Sequence, residues 1–99
     1  VFFVHDTCPI CEHGAVGFLI CTDTDDVILM CEECDSVWLD PTTIIAETAI
    51  FTESPDFVVP GVACSLLGSH WATRQEIEQR GWANYIAGEG KAMNEESYP

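Results

Sequence analysis

The sequence predicts an α+β fold: a small three-stranded β-hairpin unit stapled by cysteines, an irregular segment, and a C-terminal helix. Three observations lead there. Two Cys-x-x-Cys pairs bracket two apolar, β-rich runs, and a helix-capping pattern stands near residue 73. A chain of 99 residues also buries only a modest apolar core, so a staple is expected.

Val1-Phe2-Phe3-Val4-His5-Asp6 is short and apolar with no basic flank, and reads as a strand rather than a secretion signal. The runs Gly17-Phe18-Leu19-Ile20-Cys21 and Val27-Ile28-Leu29-Met30 flank the polar cluster Thr22-Asp23-Thr24-Asp25-Asp26, which is turn-forming and of hairpin length. Ser36-Val37-Trp38-Leu39 follows as a third short strand. Asp40-Pro41 then offers an N-cap with Pro at the first helical position, predicting a helical turn over 41–47. Ala49-Ile50-Phe51-Thr52 and Phe57-Val58-Val59 read as short strands, punctuated by Pro55, Pro60, Gly61 and Gly68. Thr73-Arg74-Gln75-Glu76 fits a capping box. The helix starting there ends at Gly81 or continues to Ile86, with Trp71, Ile77, Trp82, Tyr85 and Ile86 as its apolar face. This divides the chain into a cysteine-stapled unit (1–40), an α/β extension packed on it (41–87) and a frayed tail (88–99).

Cys8-Pro9-Ile10-Cys11 and Cys31-Glu32-Glu33-Cys34 are separated by nineteen residues, a spacing expected of a four-thiolate zinc site. Two residues between thiolates allow a tight turn to place both sulfurs on one side, and two such turns at the base of a hairpin close a tetrahedron. Four cysteines fill the shell and leave no position for a catalytic water, so the expected cofactor is one structural Zn2+. The competing reading is a disulfide framework, which paired Cys-x-x-Cys knuckles suit less well than zinc. Cys21 and Cys64 lie in apolar runs and read as small buried hydrophobes rather than reactive thiols. His5 and His13 read as surface residues beside a complete ligand set, and His70 as a packing or capping residue. No nucleophile and base can be paired, so no catalytic residue and no enzyme is expected.

At these residues the chain resembles the zinc-ribbon superfamily over residues 4–40, in which two zinc knuckles are joined by β-strands. It departs from the pattern in one respect. Ribbon knuckles often carry Gly directly after the second cysteine, where this chain has Glu12 and Asp35.

Seventeen Asp and Glu face three Lys and Arg, for a formal net charge of -14, and 47% of the residues are apolar. This is the composition of a folded acidic protein, not of a disordered tail. Residues 1–73 contain twelve carboxylates and no Lys or Arg. Four thiolates and one zinc would take the charge to -16. Acidity of this kind serves solubility, salt adaptation, or steering toward a basic partner. It disfavours direct nucleic-acid binding, which draws on Lys and Arg at phosphates. No stretch of eighteen apolar residues exists to span a membrane, and a cytoplasmic location is expected.

The stretches Cys31–Pro41 and Trp71–Glu78 are similar to segments of small bacterial zinc-ribbon proteins of the polymorphic-toxin immunity type. That resemblance implies an acidic inhibitor or immunity protein binding a basic partner such as a nuclease toxin. Asp23, Asp25 and Asp26 at the hairpin tip and Glu32, Glu33 and Asp35 around the second knuckle are the candidate partner-binding residues. The alternative is a ribbon that works in transcription or a nucleic-acid-processing complex through protein contacts. Trp38, Trp71 and Trp82 are candidates for either core or interface.

Overall fold

β2 (Val16–Cys21) and β3 (Asp26–Cys31) pair antiparallel in strict register, from Val16 opposite Cys31 to Cys21 opposite Asp26. A computed structural model describes residues 1–21, 24–52, 57–60 and 64–90. The hairpin is the centre of a sheet in the order β4 (Val37–Trp38), β3, β2, β1 (Phe2–His5) and β8 (Gly88–Glu89). β1 lies beside the first half of β2 and β7 (His70–Trp71) beside its second half. β4 pairs with β3, and β8 with β1. The chain is thus α+β, with mostly antiparallel strands and one helix near the C-terminus.

All six residues of β2 are buried, because the sheet is covered on both sides. Side chains alternate across a strand. Val16, Phe18, Ile20, Val27, Leu29 and Trp38 therefore face one core, together with Ile44, Ala72 and Ile77. Leu19, Cys21, Ile28, Met30 and Val37 face a second core with Val59 and Cys64. The first face is covered by α1 (Arg74–Arg80), the second by the small pair β5 (Val58–Val59) and β6 (Cys64–Ser65).

The helix has the capping expected of it. The Glu76 amide donates to Thr73 Oγ1 at 3.2 Å, and the Thr73 amide donates to Glu76 Oε1 at 2.8 Å. Gly81 ends the helix at φ 86°, a left-handed conformation that costs glycine little, and the following residues form a separate 3-10 turn at Ala83–Tyr85. Of the expected apolar face, Ile77 is fully buried and Trp82 and Ile86 pack against the first core, but Tyr85 is exposed. Trp71 belongs to β7, and its ring passes close to Gly17, where a Cβ would come within 2.8 Å of it.

Three expectations are corrected. The helical turn expected at 41–47 is instead a tight turn followed by a 3-10 turn at Ala46–Thr48. Asp40 Oδ1 accepts from both the amide and the hydroxyl of Thr42, a local arrangement that satisfies the cap without starting a helix. Residues 49–52 form no strand. Ile50 alone makes a bridge with Val37. The frayed tail does not begin at 88: Gly88–Glu89 is the outer strand of the sheet, and the Gly90 amide donates to the Val1 carbonyl at 2.8 Å. Residues 91–99 lie outside the described residues. The extension from 41 onward accordingly contributes strands to the sheet of the first forty residues as well as packing on it.

Candidate metal centre

The register of the hairpin puts Cys31 opposite Val16, at the end of the sheet from which both cysteine pairs project. The two knuckles are near copies of each other. In the first, the Glu12 amide donates to the Cys8 carbonyl and the Cys8 amide to the Gly14 carbonyl. In the second, the Asp35 amide donates to the Cys31 carbonyl and the Cys31 amide to the Ser36 carbonyl. The amide two residues after each leading cysteine points at its sulfur, Ile10 to Cys8 Sγ at 3.3 Å and Glu33 to Cys31 Sγ at 3.4 Å. Each turn closes through a residue in the left-handed region, Glu12 at φ 59° and Asp35 at φ 61°. These are the positions where the sequence lacks the glycine usual in such knuckles. Both turns take the left-handed conformation nonetheless, with side chains that adopt it at a cost.

The four sulfurs of Cys8, Cys11, Cys31 and Cys34 lie within 4.8 Å of one another. Cys8 Sγ is 3.7 Å from Cys34 Sγ, and Cys11 Sγ is 3.6 Å from Cys31 Sγ. A tetrahedral thiolate centre with bonds of about 2.3 Å has edges of about 3.8 Å, so this donor set can hold a metal ion. The unit is compatible with a zinc-ribbon-like knuckle pair. Glu32 ties the knuckles together: its amide donates to the Ala15 carbonyl at 3.1 Å and its Oε1 accepts from the Ala15 amide at 3.3 Å. The buried Ser36 hydroxyl sits 3.2 Å from Cys34 Sγ, a contact the sequence did not flag.

The local electrostatics divide the ligands. Burial pushes the Cys8 and Cys31 thiols up, while the backbone N–H of His13 is the main cause holding Cys11 down at about 7. Without a metal, buried thiols side by side resist ionisation. A cation at the centre reverses that preference for all of them.

His5 and His13 are exposed and outside the sulfur cluster, and His5 Nδ1 contacts the Thr7 carbonyl at 2.6 Å. His70 Nε2 lies 3.3 Å from Glu76 Oε2, at the helix cap. Trp38 is core, its Nε1 donating to the Ile45 carbonyl at 2.9 Å. Trp71 and Trp82 are half-buried.

Cys21 and Cys64 are buried, as their apolar surroundings led one to expect, but they are joined in a disulfide, which corrects their reading as separate small hydrophobes. The acidic candidates fall at two ends of the hairpin. Asp25 and Asp26 are exposed at its tip, whereas Glu33 and Asp35 are exposed beside the knuckles and Glu32 is half-buried by its bond to Ala15. Six-residue strands set the ends apart by roughly 17 Å. Asp23 lies outside the described residues. The sequence reading missed a run of exposed large apolar side chains, Leu39, Ile45, Phe51, Phe57 and Val58, of which Phe51 is 60% exposed.

A curated relative, "Uncharacterized protein L48" of Acanthamoeba polyphaga mimivirus, is 35% identical over 89 residues, spanning 80% of this chain and 72% of its own length. The chain belongs to that protein's family. No family model and no solved structure matches it. The L48 relative is viral and its name states no activity, so the likeness to bacterial immunity proteins is carried only by the residues quoted above. Among the described residues, no helix of this L48-family chain is long and apolar enough to cross a membrane.

Proposed function

We propose that this protein is a zinc-stabilised acidic interaction module that inhibits a basic protein partner, of the kind a nuclease toxin would be. The observation that carries the reading is where the positive charge lies. Arg74 and Arg80, the cations among the described Lys and Arg positions, both sit on α1. Arg74 lies 5.5 Å over the Phe2 ring and Arg80 4.7 Å over the Trp82 ring. Residues 1–73, which supply the hairpin tip and the knuckles, carry carboxylates and no Lys or Arg, and at the tip Arg80 of the helix shares a cavity lining with Asp25. A surface so rich in carboxylates raises the encounter rate with a cationic cleft and repels phosphate backbones.

The metal in this reading is one structural Zn2+, since four thiolates close its shell. The chain binds rather than catalyses, in keeping with a metal that offers no open position and a His70 engaged at a helix cap. Exposed apolar side chains such as Ile45 and Phe51 suit a protein contact, in which apolar anchors give affinity while charge gives rate and selectivity. The site of action in this reading is the cytoplasm, a compartment in which the Cys21–Cys64 disulfide is unusual.

Affinity isolation with the metal-loaded chain at low and high salt tests this. The expected result is a stoichiometric basic protein that is lost at high salt and is not retained by an Asp25→Lys, Asp26→Lys, Glu33→Lys, Asp35→Lys variant of unchanged metal content. Retention indifferent to both salt and charge reversal would sink the proposal, as would tight DNA or RNA binding at low salt.

A further inference from the structure

The two knuckles differ at one position that bears on the metal. The amide of the leading cysteine donates to the Gly14 carbonyl in the first and to the Ser36 carbonyl in the second. Gly14 has no room for a side chain: a Cβ there would come within 2.7 Å of Glu33 Cγ and 3.1 Å of Cys31 Sγ. Ser36 carries one, and its hydroxyl is 3.2 Å from Cys34 Sγ. Among the described residues Ser36 is the buried polar side chain, 1% exposed. Burying a hydroxyl costs free energy unless it is hydrogen-bonded, and the partner here is a ligand sulfur. The residue is held from both sides, its carbonyl accepting from the Cys31 amide at 2.9 Å and the next residue, Val37, paired with Met30 in the sheet.

Cys8 Sγ and Cys31 Sγ accept backbone amides from their own turns, that of Ile10 in the first and those of Glu33 and Cys34 in the second. Cys34 is placed differently. It is partly exposed where Cys8 and Cys31 are buried, and among the described residues its hydrogen-bond contact from outside the four sulfurs is the Ser36 hydroxyl. A metal-bound thiolate has no proton to give, so with an ion in place the hydroxyl donates and the sulfur accepts. We infer, on the reading that the four sulfurs hold a metal ion, that Ser36 is a positioning residue for that ion: its hydroxyl aims the Cys34 thiolate at the centre and takes up part of its negative charge. Four thiolates on one divalent cation leave the centre negative, and each N–H or O–H aimed at a sulfur disperses some of that charge.

Co2+ titration of the full chain, with Zn2+ affinity measured by competition against a chromophoric chelator, tests this role. The unmodified chain should take up one Co2+ with the absorption of a tetrahedral thiolate centre. Ser36→Ala should lower Zn2+ affinity about tenfold to a hundredfold. It should also move the sulfur-to-cobalt charge-transfer bands to longer wavelength, because a thiolate relieved of its hydrogen bond gives up electron density more readily. In the zinc-loaded form of this variant Cys34 should be alkylated faster, with Cys11 unchanged. Ser36→Thr, which keeps the donor, should keep the original bands and affinity. Unchanged bands and affinity in Ser36→Ala would overturn the inference, as would equal losses in Ser36→Ala and Ser36→Thr, the mark of a packing effect. An unmodified chain that takes up neither Co2+ nor Zn2+ would overturn the metal reading itself, and the role of Ser36 with it.

Discussion

The two faces of the central sheet use the same pair of strands and are held shut by different chemistry. The first face carries the large side chains, Phe18, Trp38 and Ile77 among them. It is closed by a capped helix and sits beside the four-sulfur cluster. The second carries smaller residues and is closed by two short strands and one disulfide. The difference shows how a small chain with a modest core distributes its cross-links. A metal on the four sulfurs would fix the end of the hairpin where the turns are left-handed, and the disulfide ties the end of β2 to β6 on the other face.

The comparison is tested most severely by removing the metal. Structural zinc contributes about 10–16 kcal/mol in small zinc domains, comparable to the whole net stability of a domain, about 5–15 kcal/mol. Chelation, or Cys31→Ser, should therefore abolish the cooperative thermal transition followed by circular dichroism. An apo chain that melts cooperatively near the loaded one would mean that the knuckles are decoration on a self-sufficient core.

A smaller effect is expected from the other staple. Closing a 43-residue separation is worth about 4 kcal/mol in the chain-entropy account, and removal of native disulfides costs about 2–5 kcal/mol. Cys21→Ser, Cys64→Ser should lower the denaturant midpoint accordingly while leaving one metal bound per chain. Loss of the metal in that variant would show that the faces are not independent.

Thr73→Ala removes one half of the capping box and should cost about 1 kcal/mol in urea unfolding. The same cap has a pH signature. The Thr73 amide, and secondarily His70, hold the Glu76 carboxyl below its ordinary range. Its contribution is thus complete above the unfolded carboxylate value and is lost as pH falls through the folded one. Helix amides should lose exchange protection on acidification, and Glu76→Gln should remove that dependence. The smallest change expected is at the knuckle turns. Glu12→Gly relieves a left-handed residue whose strain is about 1–2 kcal/mol, against an entropy cost of about 0.5–1 kcal/mol, so thermal stability should hold or rise slightly.

Much of this was readable from the chain because it is local. Paired Cys-x-x-Cys turns, an apolar hairpin around Thr22–Asp26 and the Thr73–Glu76 box each declare themselves within a few residues. The Cys21–Cys64 pairing did not, since each cysteine sits in an apolar run where a small hydrophobe would look the same, and only the tertiary fold brings them together. β7 and β8 were missed for a related reason. Two-residue strands have no periodicity to read, and His70–Trp71 and Gly88–Glu89 become strands because β2 and β1 offer them free edges. Asp40-Pro41 misled because a side chain able to cap a helix is equally able to close a turn with Thr42.

Intact mass measurement of the natively purified chain, combined with cysteine alkylation before and after chelation and then reduction, tests the two-staple account most directly. The account predicts one zinc per chain. Cys8, Cys11, Cys31 and Cys34 become modifiable on chelation, and Cys21 and Cys64 only on reduction. Absence of zinc, a disulfide within the four-sulfur cluster, or free thiols at Cys21 and Cys64 before any reductant is added would contradict it.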